Sequence, residues 1–161
     1  MNTTLRSIIL ALTTLAVCYA ADAVITSPKN IKTDVAPLTK DRLRCADTLY
    51  KMIEIPSTLE NSPSITVPRG DRAKPGIAYT FTIDVPSTVY LFVMMKNNAN
   101  LPSEWKRTPL TAKWTTDGGK TIFSDAVYAQ DLPAGTVAVP EHQGFSDASY
   151  AIPHLCVVVT K

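Results

Sequence analysis

The sequence predicts an all-β fold, a two-sheet antiparallel β-sandwich of about eight short strands. The strongest evidence is the stretch 78–95. In its first half apolar side chains alternate with small or polar ones, which is typical of a half-buried strand: Tyr79, Phe81, Ile83 and Val85. Its second half, 88–95, is apolar on both faces and therefore needs a packed layer on each side. Since only Pro86 and Ser87 separate the halves, we expect the two strands to fold back on each other.

Turn residues divide the rest of the chain into further short strands. Residues 49–55 are predicted to form a first strand, with Leu49, Ile53 and Ile55 on one face. Gly118 and Gly119 permit the positive φ angles of a tight hairpin. The other predicted strands are 64–67, 110–115, 121–130, 136–139 and 150–161. The twelve prolines fall mostly at strand ends, where they protect sheet edges, but local pattern does not decide between an immunoglobulin-like and a jelly-roll topology.

The N-terminal residues have the layout of a secretory signal peptide. One positive charge precedes an apolar run, and small residues follow, so residues 1–20 are predicted to be removed, with cleavage after Ala20 or after Ala23. The apolar run is about a dozen residues, shorter than the roughly 20 that span a membrane. Val17 is too bulky to precede a lipidated Cys18. We therefore expect a secreted, extracellular or periplasmic protein with a linker or surface strap at 21–46 and the sandwich at 47–161.

Charge and cysteine content limit the partners and the redox state. Loss of Arg6 with the signal lowers the formal net charge from +2 to +1, which gives no electrostatic footprint for nucleic acid. Two cysteines, Cys45 and Cys156, remain, and in an exported protein they are most simply a disulfide. The alternative is a pair of buried, unpaired thiols.

No catalytic, metal or cofactor motif stands out in the sequence. His142 and His154 are isolated, so no metal site and no cofactor are predicted. Glu104, Asp125 and Glu141 are acidic residues from which a glycosidase pair could be drawn, which would need a separation of about 5 to 9 Å. The tripeptide at 69–71, Arg-Gly-Asp, is interpreted as a polar turn rather than an integrin motif.

Aromatic residues near polar loops are the candidate ligand site. Trp105 ends a loop that contains Asn97, Asn98 and Asn100, and it is predicted to lie exposed as part of a ligand platform. Trp114, with Tyr128 as a neighbour across the hairpin, is the second candidate, because sugar rings stack on flat aromatic side chains. Core packing is the alternative for all three aromatic residues.

Three segments, 88–91, 101–105 and 132–137, resemble in order and spacing the accessory β-sandwich domains of secreted bacterial polysaccharide-active enzymes. The resemblance covers residues 65–159. It implies a secreted, non-catalytic module that binds polysaccharide or a cell-surface glycan. A structural or adhesive extracellular protein without a sugar ligand fits the same fold, and a small polysaccharide hydrolase or lyase is a third class.

Overall fold

Two antiparallel sheets make up the protein in the computed structural model, which describes residues 22–27, 31–95, 101–142 and 151–161. The predicted signal peptide, 1–20, and the loop residues Asn97, Asn98 and Asn100 lie outside these ranges. The strands are β1 Ile25–Thr26, β2 Asp34–Pro37, β3 Lys51–Glu54, β4 Pro63–Thr66, β5 Tyr79–Ile83, β6 Ser87–Met94, β7 Lys106–Thr115, β8 Ile122–Leu132, β9 Gly135–Val139 and β10 Leu155–Thr160. One 3-10 turn spans Ser57–Leu59.

The smaller sheet has the strand order β1-β5-β9, and the larger has the order β2-β4-β10-β6-β8-β7-β3. Every described strand pair is antiparallel. The predicted all-β, two-sheet antiparallel sandwich is therefore confirmed, with ten described strands where about eight were expected. Among the described residues, no helix is long and apolar enough to cross a membrane.

Strand β6 is covered on both faces, as its sequence predicts. On one face Val89, Leu91 and Val93 belong to the core between the two sheets. On the other face Phe92 and Met94 belong to a second core, which also holds Leu38, Cys45 and Leu59 from chain outside the strands, and Met52 from the edge strand β3. A sheet with buried side chains on both faces needs a layer on each, and here the second layer is mostly irregular chain.

Strands β5 and β6 do not form the hairpin that the sequence predicts. They lie in different sheets, so Pro86 is part of a crossing from one sheet to the other. The apolar faces of the two strands, Tyr79 to Ile83 and Val89 to Val93, share the core between the sheets. Period-two patterning shows which face is buried, but a buried face can meet its neighbour by packing instead of by hydrogen bonding.

The prediction that Leu49, Ile53 and Ile55 share one face of a first strand is also wrong. Leu49 is 82% exposed, whereas Met52 is fully buried and lies opposite Trp114 of β7. The register between β3 and β7 shifts between Met52 and Glu54. Such an irregularity breaks simple alternation, so Leu49, Ile53 and Ile55 do not share one buried face.

Residues before Asp47 contribute more than a surface strap. Strand β1 pairs with β5, placing Ile25 opposite Ile83, and β2 pairs with β4. Leu38 and Arg44 are fully or almost fully buried. The sandwich therefore includes strands from the segment assigned to the linker.

The predicted disulfide between Cys45 and Cys156 is wrong, because both cysteines are buried free thiols. Cys45 packs in the second core with Leu155 and Val157. Cys156 lies between those two residues on β10, so its side chain points to the opposite face, into the core between the sheets. Burial raises the pKa of each thiol to about 12, so both are protonated at neutral pH.

Candidate functional site

A pocket of about 370 Å³ opens at one end of the larger sheet. It collects residues from the ends of β6, β7 and β8 and from the chain before β3, after β4 and before β10. We call it the aromatic pocket, and its lining residues are Tyr50, Arg69, Arg72, Met94, Trp114, Thr116, Phe123 and Ile152. Antiparallel pairing brings these positions to the same end, although they are far apart in the sequence.

Three aromatic rings form a row in this pocket. Trp114 lies between Tyr50, at a ring-centroid distance of 5.4 Å, and Phe123, at 4.5 Å. The interplanar angles are 28° and 19°, so the rings are stacked. Because Phe123 is its cross-strand partner on β8 and Tyr50 leads into β3 on the other side, the indole has a ring against each face. Tyr50 and Phe123 are half-buried, so they supply the ring surface that a ligand can reach.

A buried ion pair lies beneath the row. Asp125 accepts hydrogen bonds from Trp114 Nε1 at 3.1 Å and from Arg44 Nε at 2.7 Å. The other Arg44 nitrogens donate to the carbonyls of Pro153 (2.7 Å) and Phe92 (2.8 Å). Burial lowers the pKa of Arg44, but Asp125, together with smaller contributions from Cys45 and Tyr79, raises the pKa overall. Each guanidinium nitrogen of Arg44 and each carboxylate oxygen of Asp125 makes a hydrogen bond, which holds the Trp114 indole in place.

Two arginines from the loop after β4 stand at the pocket. Arg69 is almost fully buried, and its guanidinium has one long hydrogen bond, 3.5 Å, to the carbonyl of Asp71. Arg72 is exposed and donates to the Tyr50 hydroxyl at 2.8 Å. The Asp47 carboxylate accepts from the backbone N–H groups of Arg69 (2.5 Å) and Gly70 (3.3 Å), which holds the loop in place.

Two buried histidines pack behind the pocket. The rings of His142 and His154 meet edge to face at a centroid distance of 5.1 Å. His142 Nδ1 accepts a hydrogen bond from the backbone of Ile152 at 3.1 Å, so in the neutral ring the proton is on Nε2. Burial, with help from Arg44 and Arg69, lowers the pKa of His142 to about 4. Burial and then His142 lower the pKa of His154 well below its usual value.

Of the predicted ligand-binding residues the structure describes Trp105, Trp114 and Tyr128, and it does not bring these three into one site. The prediction that Trp105 is exposed is wrong, because it is 7% exposed and packs in the core between the sheets. Tyr128 packs against the same core and lies opposite Arg107, whereas Trp114 faces the other way and lies opposite Phe123. Trp114 is buried, as the core alternative required, yet it lines the aromatic pocket. The ligand-binding roles of Asn97, Asn98 and Asn100 stay predictions outside the described residues.

The residues that sequence reasoning missed are Tyr50, Arg69, Arg72 and Phe123. Phe123 carried a usable signal, since a hairpin closed at Gly118 and Gly119 places it opposite Trp114. No sequence pattern indicated Arg69 and Arg72, because their place in the pocket depends on which strands are neighbours. The burial of Arg69 also removes it from the exposed loop tip that an integrin motif requires.

The acidic residues considered for glycoside hydrolysis are dispersed. Asp125 is fully buried, and both of its oxygens accept hydrogen bonds from neighbouring side chains. Glu104 lies by a shallow cleft with Lys106, and Glu141 is exposed beside buried His142. Over residues 22–27, 31–95, 101–142 and 151–161, no group of three or more His, Cys, Asp and Glu side chains is placed to hold a metal ion.

Comparison with known proteins supplies a fold relationship. No protein-family model matches the chain, and no curated protein matches its sequence. Among solved structures, a beta-glucuronidase from glycoside hydrolase family 2 matches with a TM-score of 0.65 and 11% identity. The match covers 84% of this chain and 14% of the beta-glucuronidase chain. The protein therefore resembles in fold a β-domain within a glycoside hydrolase, and it spans a small part of that enzyme's length.

Proposed function

We propose that this chain is an exported, non-catalytic β-sandwich module that binds carbohydrate in the aromatic pocket. The observation that carries the proposal is the combination of ring surface and hydrogen-bond donors in one pocket of about 370 Å³. The apolar face of a pyranose packs on an aromatic ring, here Tyr50 or Phe123. Its hydroxyls can bond to Arg72 and Thr116. The solved structure with a similar fold is a glycoside hydrolase, which agrees with a carbohydrate ligand.

A glycan array followed by titration calorimetry tests the proposal. We expect at least one polysaccharide fragment to bind. Tyr50→Ala and Phe123→Ala should each weaken that binding by about 1 to 3 kcal/mol, as expected for the loss of an aromatic anchor. Tyr128→Ala is the matched control, because it removes an aromatic ring on the opposite face of the same sheet and should leave affinity unchanged. Absence of binding to every glycan would contradict the proposal.

One observation favours a second candidate, an adhesive or structural protein that binds a protein partner. Met95 and Ile122 are among the five large apolar side chains that are exposed in the described residues. They line a cleft of about 240 Å³ that shares Met94 and Phe123 with the aromatic pocket. Exposed apolar surface beside a pocket is typical of an interaction site. If the array shows no ligand, the double variant Met95→Ser, Ile122→Ser should abolish adhesion to the partner.

A further inference from the structure

Among the residues that the structure describes, Arg69 is the one buried arginine with no carboxylate counter-ion. Three arginines are buried in the described residues: Arg42, Arg44 and Arg69. Arg42 pairs with Asp34, and Arg44 pairs with Asp125. No described carboxylate lies within ion-pair distance of the Arg69 guanidinium, which is only 6% exposed.

An unpaired, nearly buried cation is costly. Moving a charged group out of water costs several kcal/mol unless hydrogen bonds and an opposite charge replace the lost solvation, by order-of-magnitude estimates. The Arg69 guanidinium has five N–H donors and, with the described residues, one long hydrogen bond, to the Asp71 carbonyl. Arg69 lines the aromatic pocket, where a ligand could accept from its other donors.

Arg72 adds a second cation to the same pocket. One of its nitrogens donates to the Tyr50 hydroxyl, which leaves other donors of this exposed side chain for a ligand. Two arginines that line one pocket are suited to an oxyanion, because the planar fork of arginine matches carboxylate and sulfate oxygens.

The nearby carboxylates have other partners. Asp47 accepts from the loop backbone, and Asp71 lies 3.8 Å from Lys74 and accepts from the backbone of Ala73. Asp125 is neutralised by Arg44. The charges of Arg44 and Arg69 also act on His142. Burial is the main cause of its lowered pKa, and these two arginines lower it further.

We propose that the sugar bound in the aromatic pocket carries an oxyanion, either a carboxylate or a sulfate ester, and that Arg69 and Arg72 bind it together. This inference rests on the proposed carbohydrate function and names the ligand class for the same pocket. The ring of the sugar lies along Tyr50 or Phe123, and its acidic group points to the two guanidiniums.

Matched pairs of oligosaccharides test the inference by titration calorimetry on the full chain. One pair is an oligogalacturonate and its fully methyl-esterified form, and the other is a sulfated galactan fragment and its desulfated form. We expect the acidic member of one pair to bind at least about tenfold more tightly than its neutral form, as charge-assisted hydrogen bonds imply. The pair that shows the preference identifies carboxylate or sulfate as the group.

Variants separate the two arginines from the rest of the loop. Arg69→Gln and Arg72→Gln should each weaken binding of the acidic form far more than binding of the neutral form, so that most of the acidic preference is lost. Lys74→Gln is the matched control, because Lys74 is a cation on the same loop that pairs with Asp71 and does not line the pocket. If Arg69→Gln does not fold, Arg72→Gln still tests the pair, as does salt: a tenfold rise in sodium chloride should weaken binding of the acidic form alone.

The results test the oxyanion preference separately from the carbohydrate binding on which it rests. Equal binding of acidic and neutral forms, unaffected by Arg72→Gln, would overturn the inference and leave carbohydrate binding standing. Binding of none of the four oligosaccharides would overturn the inference alone, whereas absence of binding to every glycan of the array would overturn both.

Discussion

The Arg44–Asp125 pair is the residue-scale feature on which the pocket depends. Asp125→Ala would leave Arg44 charged, buried and without a counter-ion. It would also remove the carboxylate that accepts the hydrogen bond of the Trp114 indole nitrogen. We expect a loss of about 3 to 5 kcal/mol in the free energy of unfolding, measured by urea denaturation.

Exposed ion pairs supply the control for this prediction. Lys113 and Glu54 are 2.7 Å apart, but both side chains are about half exposed. Lys113→Ala should therefore cost less than about 1 kcal/mol. If Asp125→Ala lowers the free energy of unfolding as little as Lys113→Ala does, the Arg44 charge must be solvated in another way, for example by water.

Trp105 shows that the sequence next to a residue does not determine whether its side chain is buried. An indole at the end of a polar loop was predicted to be exposed, but the start of β7 turns it into the core between the sheets. The loop before it had no pattern from which that turn could be inferred. Its neighbours there come from strands that are distant in the chain, so the information was not local.

At the scale of elements, Gly76 marks a close approach of two chain segments. Its backbone exchanges two hydrogen bonds of 2.9 Å with His142. A Cβ added to Gly76 would lie 2.5 Å from backbone atoms of Ile152 and Pro153. Gly76→Ala should therefore cost about 3 kcal/mol of stability, because backbone must move, and it should also displace Ile152 from the pocket wall. Thermal denaturation and ligand titration measure these effects.

Gly70 is the matched control for that substitution. It has a φ of +68°, and an added Cβ would meet nothing within 4 Å. Asparagine accepts this left-handed conformation, so Gly70→Asn should change stability by less than about 0.5 kcal/mol. Equal effects at the two glycines would contradict the steric argument.

The strands themselves were largely predictable, whereas their partners were not. Periodicity located β5, β6, β8 and β10 to within a few residues, because alternation directly reflects burial. The β7–β8 hairpin was also foreseen, since its glycines are adjacent in the chain. The separation of β5 from β6 was missed, and so was the site, because both depend on strand order. Only Trp114 was found from sequence among the residues that line the aromatic pocket.

For the whole molecule, the two buried histidines predict an acid-sensitive fold. In an unfolded chain a histidine has a pKa of about 6.5. Since the pKa of folded His142 is about 4 and that of His154 is also lowered, the unfolded state binds more protons between these values. The free energy of unfolding should fall as the pH drops from about 6.5 towards 4, by about 3 kcal/mol for His142 alone.

Urea denaturation across this pH range measures the slope. His154→Leu should flatten it, because that variant has one fewer group to protonate on unfolding. The comparison uses the slope, so a change in absolute stability does not obscure it. An unchanged slope in His154→Leu would show that carboxylates elsewhere dominate acid unfolding.

The two thiols lie in separate cores, which makes each a local reporter of opening motions. A thiol reagent reaches Cys45 only when the layer over the larger sheet lifts, and it reaches Cys156 only when the two sheets part. In a Cys18→Ser background, the two labelling rates would give the opening free energies of the two halves of the sandwich separately. A ligand in the aromatic pocket, whose wall includes Trp114 and Ile152 of the Cys45 core, would slow the labelling of Cys45 more than that of Cys156.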